Sequence, residues 1–236
     1  MDLAKAFTYI TEDERWTSKL LIALIVTFFS FLFIPIFFLI GYSVAITRNV
    51  KAGVEKPLPE WDDWGKLFMD GLYIFLAQLV YTLPFWLLMC VATIVTVAAG
   101  NAPTNAQDFA TAALGTTWLI ISCLGFLFAI ALFFISPAII VQYVLTDEFG
   151  ACFRFGDVLG IARQSIGDIM MVFLATFGAG LAVSVVTGVL AIIPCVGWIL
   201  AFVISMAVGP YLTAVTGHLY GQIAAKFSGK SPKFVG

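Results

Sequence analysis

Residues 168–193 read DIMMVFLATFGAGLAVSVVTGVLAII, and residues 197–225 read GWILAFVISMAVGPYLTAVTGHLYGQIAA. Each run exceeds the ~20 apolar residues that a helix needs to cross a bilayer's hydrocarbon core. Neither carries the polar face that a helix on the surface of a water-soluble protein would show. Such a segment must satisfy its backbone hydrogen bonds internally, which selects α-helix. A short turn at 194–197 joins the two runs, so they read as an antiparallel helical pair.

Three more apolar segments lie upstream, at 20–46, 72–99 and 112–145. The last is long enough to tilt in a membrane or to protrude from it. Of the 236 residues, 61% are hydrophobic and 11% are charged. A water-soluble domain carries about 25% charged residues, and a chain of this size could not bury so much apolar surface within itself. The expected fold is therefore all-α: a polytopic transmembrane helix bundle, forming a single membrane domain over 1–236. Residues 1–18 are polar and amphipathic and lack the short apolar core of a cleavable signal.

The charges sit between the apolar runs. Arg48, Lys51, Lys56 and Lys66 follow the first segment. Arg154 and Arg163 follow the third, and Lys226, Lys230 and Lys233 follow the fifth. The excess of basic residues in cytoplasmic loops places these three regions, the C-terminus among them, on the cytoplasmic side of the cell membrane. The connectors at 100–111 and 194–197 have no Lys or Arg and belong outside. Segment one is in conflict with this order, because Lys5, Arg15 and Lys19 also ask for the cytoplasm. Either residues 20–46 form a re-entrant hairpin bent near 30–35, or they span once and leave the N-terminus outside. Pro35 removes a backbone donor and favours the bend, and the hairpin with a cytoplasmic N-terminus is the preferred reading.

Amphipathic helices are expected at 3–15, 59–71 and 150–166, lying in the membrane interface. In the second, Trp61, Trp64 and Phe68 fall on one face at helical spacing. These aromatic residues are expected at headgroup depth as interfacial anchors. In the third, Phe155, Leu159, Ala162 and Ile166 share a face. With Pro35, Pro137 and Pro210 near the basic ends of the apolar segments, this suggests a weak repeat of interfacial helix plus hairpin. Such a repeat occurs in transporters, and any series of membrane hairpins would also resemble it.

Small residues allow membrane helices to approach closely. Gly180, Ser184 and Gly188 form one such seam, and Gly217 and Gly221 another. Both are expected to pack segments four and five together within one chain; a homo-oligomer or another membrane protein is the alternative partner. The bilayer itself is the first partner.

Chemistry is sparse. Cys90, Cys123, Cys152 and Cys195 show no metal-binding spacing, His218 is the lone histidine, and the cysteines read as packing residues. No catalytic motif is present, no basic footprint for nucleic acid, and no cofactor site is expected. The carboxylates at Glu12, Asp13, Glu14, Asp62 and Asp63 read as solvated faces or helix caps. Gln78, Gln142 and His218 are the polar side chains on apolar segments that could line a cavity or meet a partner, with His218 expected near the interface. The chain is expected to be non-enzymatic, a scaffold, accessory component or lipid-handling protein. A small transporter or channel with its site between the hairpins is the alternative.

One stretch is more specific. Residues 41–72, GYSVAITRNVKAGVEKPLPEWDDWGKLFMDGL, resemble a prokaryotic family of uncharacterised membrane proteins, the domain of unknown function 4013. Upstream, Phe7, Tyr9, Asp13 and Trp16 fit that family's aromatic and acidic N-terminal stretch. The resemblance covers the first 72 residues well and the rest in hydropathy alone. It implies a multi-spanning membrane protein and supplies no catalytic residues.

Overall fold

A computed structural model describes the backbone of residues 1–101 and 107–229, and the side chains of these except 107–110 and 113. Lys230, Lys233 and much of the 100–111 connector lie outside the described residues. All regular structure among the described residues is helical.

The chain starts with α1 (Leu3–Thr8), capped by the Asp2 carboxylate, which accepts the Lys5 N–H at 2.9 Å. A 3₁₀ turn, Tyr9–Glu12, completes the segment. Residues 3–15 are thus not one helix, since regular structure stops at Glu12, and Ala6, Tyr9 and Ile10 are buried in the protein core, where their apolar side chains find protein to pack against.

Segment one bends back on itself. Helix α2 (Trp16–Phe28) leads through a 3₁₀ turn, Phe29–Leu32, into α3 (Ile34–Ala52). Phe33 makes the reversal with a φ of 68°, a region that few non-glycine residues occupy. Pro35 then sits in the first turn of α3, where its missing N–H costs little. The two arms rejoin at the connector that follows α3. Lys19 Nζ donates to the Leu58 carbonyl at 2.9 Å, Trp61 Nε1 donates to the Lys19 carbonyl at 3.0 Å, and the Tyr42 hydroxyl donates to the Pro59 carbonyl at 3.3 Å. Both ends of the hairpin therefore lie at one end of the molecule, here called the base.

Four helices follow that are long and apolar enough to cross a membrane: α4 (Trp64–Gly100), α5 (Gln107–Thr146), α7 (Ile166–Leu190) and α8 (Val196–Phe227). A 3₁₀ turn, Phe149–Phe153, and the short helix α6 (Phe155–Gln164) link α5 to α7. The core gathers at the base, where Val44 and Ile46 of α3, Ile74 of α4, Val141 of α5 and Leu219 of α8 are fully enclosed. Away from it the α4–α5 and α7–α8 hairpins are nearly bare. Leu87, Ile94, Leu119, Val185 and Ile199 are each more than half exposed.

Several local expectations are corrected. Residues 59–71 are not one amphipathic helix: the chain is non-helical from 54 to 63, and α4 begins at Trp64. Pro57 and Pro59 disfavour helix in the residues before them, and the carbonyls of 57–59 accept bonds from Asn49, Lys19 and Tyr42. Within residues 150–166 the helix is the short α6, which turns Val158, Ile161 and Ala162 inward and leaves Phe155 and Leu159 exposed; Ile166, also exposed, already belongs to α7. Of the cysteines, only Cys152 is buried; Cys90, Cys123 and Cys195 are exposed on the hairpins.

The glycine seams also divide. Gly217 and Gly221 pack α8 against α3, not against α7: a Cβ on Gly217 would lie 2.9 Å from the Ser43 carbonyl oxygen, and one on Gly221 equally close to that of Thr47. Gly180 and Gly188 face open space, and the Ser184 hydroxyl bonds back to the Gly180 carbonyl at 2.9 Å. A close backbone approach between α3 and α4 rests on Gly41 and Gly71, where any Cβ would strike a carbonyl of the facing helix.

Candidate functional site

Beside the close α3–α4 crossing, four polar side chains come together at the base. Arg48 of α3 donates from Nη1 to Asp70 Oδ2 at 2.9 Å, and from Nε and Nη2 to Asp147 Oδ1 at 3.0 and 2.8 Å. The Tyr143 hydroxyl of α5 donates to the other Asp70 oxygen at 2.6 Å. Asp70 is only 5% exposed, so its charge is held by partners rather than by water. Burial alone would lower the Arg48 pKa, but the two carboxylates outweigh it and raise the pKa. The Lys51 ammonium donates to the Val144 carbonyl beside them.

A second network ties the hairpin's base. Buried Lys19 reaches Asp13 at 2.7 Å and Glu60 at 2.9 Å, and Glu60 also takes Arg15 at 2.7 Å. Burial pushes the Asp13 pKa upward; the bonds from Lys19 and from the Arg15 N–H outweigh this and hold it below the ordinary carboxylate value. Trp61 closes the network, stacked on Tyr42 with ring centroids 4.5 Å apart. Trp61 is thus a core residue, not a headgroup anchor. Trp64 is exposed, 5.2 Å from Trp61, and Phe68 is half-buried between Phe37 and Phe38.

The third cluster joins the N-terminal segment to α8. The Asp2 N–H donates to Gln222 Oε1 at 2.7 Å, and Gln222 Nε2 donates to the Asp2 carbonyl at 2.9 Å. The same Nε2 lies 3.2 Å from His218 Nδ1. The Tyr9 ring stacks on His218 at 4.4 Å, and its hydroxyl donates to the Ala214 carbonyl at 3.0 Å. His218 is 1% exposed. It is an interior residue of the base rather than an interfacial one.

Two clefts open beside these clusters. The first, about 300 Å³, is polar and is lined by Arg48, Asn49, Glu60, Asp62, Asp63 and Lys66. Its carboxylates have local duties: Asp63 caps α4 by accepting the Lys66 N–H, and Asp62 accepts the Asp63 N–H, each at 2.9 Å. His218 is not among its lining residues, so no acid–base set of Asp62, Asp63 and His218 is assembled. The second, about 360 Å³, runs between α5, α7 and α8 past Phe133, Pro137, Phe173, Thr176, Thr216 and Tyr220. The Thr176 and Thr216 hydroxyls bond to carbonyls of their own helices at 2.9 and 2.6 Å, which leaves the wall largely apolar. Gln78 is half-buried on α4 and Gln142 buried on α5; neither lines either cleft. No group of His, Cys, Asp and Glu that could hold a metal ion occurs among the described residues.

Sequence reading missed Arg48, Asp70 and Tyr143 as a unit. The signal was there: Asp70 stands nearly two turns inside the long apolar helix α4, where a carboxylate needs a partner.

A family model described as "Protein of unknown function (DUF4013)" matches residues 28–192. The match takes in the second arm of the hairpin, the polar cleft and the Arg48–Asp70–Tyr143 unit. No curated protein and no solved structure matches the chain.

Proposed function

The chain belongs to the DUF4013 family, and from that membership and its fold we propose a non-enzymatic, multi-pass protein of the cell membrane that serves as a scaffold, accessory component or lipid-handling protein. One observation carries this reading. The ion pairs and close glycine contacts concentrate at the base, while the two long hairpins present apolar side chains outward over most of their length. In water, patches of that size would drive association; in a bilayer they are surfaces for lipid chains or for another membrane helix. The exposed Gly180–Ser184–Gly188 edge of α7 suits such a neighbour. The base, rich in Arg and Lys, faces the cytoplasm in this reading, with the N-terminal segment on the same side.

A transporter would need a polar route between the hairpins, and the described wall of the α5–α7–α8 cleft is mainly apolar. The test is reconstitution into phospholipid vesicles loaded with small solutes. The expected result is that the vesicles stay as tight as protein-free ones, and that the protein released from nanodiscs keeps lipid or a membrane partner in native mass spectrometry. Solute flux that Thr216→Trp abolishes would overturn this reading in favour of transport.

A further inference from the structure

The hairpin of α2 and α3 does not reach as far as the helices around it. Its depth can be read from its neighbours. At the bend, the Phe33 ring lies 5.6 Å from that of Phe75 on α4. From there α4 runs on from residue 75 to residue 100, about 37 Å at the helical rise of ~1.5 Å per residue. On the other side, Leu24, Ile25, Phe28 and Phe29 share a cleft with Phe202, Val203 and Met206 of α8. From residue 202 back to residue 196, α8 has about 9 Å still to go. Six helices (α2, α3, α4, α5, α7 and α8) thus share the half of the molecule next to the base, and four continue beyond the tip.

The tip is apolar but for Ser30, whose hydroxyl donates to the Val26 carbonyl at 3.0 Å. Phe28, Phe29, Phe31, Leu32, Phe33 and Ile34 are all exposed, Phe31 the most at 74%. They lie alongside α4 and α8, both long enough to cross a membrane, so the acyl chains that surround those helices also cover the tip. Arm length agrees: α2 has 13 residues, about 20 Å, against the ~30 Å of a hydrocarbon core.

We propose that this chain is a one-sided wedge: its α2–α3 hairpin occupies only the leaflet next to the base, displaces lipid there and not opposite, and so concentrates the protein in membrane that is convex on the base side. The inference rests on the membrane placement proposed above. Its physical cause is area. A leaflet holding six helices must spread more than one holding four, and the mismatch is relieved where that leaflet is already expanded. Shallow apolar insertions are sensitive to curvature for the same reason.

The test uses the full chain, fluorescently labelled and reconstituted in both orientations into vesicles of phosphatidylcholine and phosphatidylglycerol of graded diameter. Orientation is scored by quenching a dye on Thr8→Cys in a background with Cys90, Cys123 and Cys195 replaced by serine. Copies with the base outward are expected to rise several-fold in surface density as diameter falls. Copies with the base inward are expected to show the opposite slope. Phe28→Ser with Phe31→Ser should flatten both slopes, and Phe31→Leu, which keeps the tip apolar, should leave them intact. Density independent of diameter in both orientations, for protein that resists carbonate extraction, would overturn the wedge and leave the membrane reading standing. Protein extracted by carbonate would instead overturn the membrane reading and the wedge with it. Disulfide-linked pairs through Phe31→Cys would show that a second copy covers the tip, which also overturns the proposal.

Discussion

Arg48 holds two carboxylates from two different parts of the chain, and the base depends on it. Removing one partner of a buried pair leaves the other charge uncompensated, at a cost of about 3–5 kcal/mol. Arg48→Ala should therefore lower the stability of the purified protein by roughly that amount, read by thermal unfolding in nanodiscs; a change within the error of the melt would show that water reaches Asp70. Asp13 gives a pH signature. Its folded pKa lies below the ordinary value, so it contributes stability above its unfolded pKa of about 3.9 that is lost as pH falls through the lower folded value. Hydrogen exchange across 13–19 should accelerate in that acid range, and Asp13→Asn should remove the pH dependence. Single residues were the least legible part of the sequence. Trp61 shares helical spacing with Trp64 and Phe68, but spacing has meaning only where a helix exists, and Pro57 and Pro59 end that condition before Trp64. His218 looked interfacial from its distance along α8; that Tyr9 would fold across it is a contact between residues about two hundred positions apart.

Among elements, the apolar segments were read well because a run of some twenty apolar residues is a local property that the bilayer's thickness makes decisive. The bend in segment one was legible for a similar reason: charge at both ends and Pro35 near the middle leave few straight solutions. In a variant with Cys90, Cys123 and Cys195 replaced by serine, a Cys at Thr8 should be labelled by a membrane-impermeant reagent only after intact cells are opened, and labelling from outside would place the N-terminal segment on the far face. Glycine seams were half legible. Spacing announces that a helix will be approached closely but does not say by which neighbour, so Gly217 and Gly221 met α3 rather than α7. Gly71→Ala should destabilise by about 1–3 kcal/mol through backbone displacement, whereas Gly180→Ala, facing open space, should stay within about 0.5 kcal/mol of the parent. Chemical denaturation in mixed micelles would check both, and equal losses at the two sites would put a neighbour against α7.

At the scale of the whole molecule, one feature reaches beyond the folded state. The base is closed by residues from both extremes of the chain: Asp2 bonds to Gln222, Tyr9 stacks on His218, and Thr47 donates to the Gly217 carbonyl at 3.0 Å. The polarity of the ends and the hydropathy of the middle are written in the sequence, but nothing in either announces this pairing, since α8 is as apolar on the side that meets α3 as on the side that does not. During synthesis, everything upstream leaves the ribosome before its last partner exists. Under the membrane placement proposed above, the α2–α3 arm and the α4–α5 hairpin wait in the bilayer with both members of the Arg48–Asp70 pair already made, while the surface that meets α8 stays open. Biogenesis of this protein is therefore a matter of timing: a nascent chain stalled before residue 214 carries a complete ion pair but an uncovered seat, and an insertion factor or chaperone that shields that seat would act on this chain late, in the interval before α8 arrives.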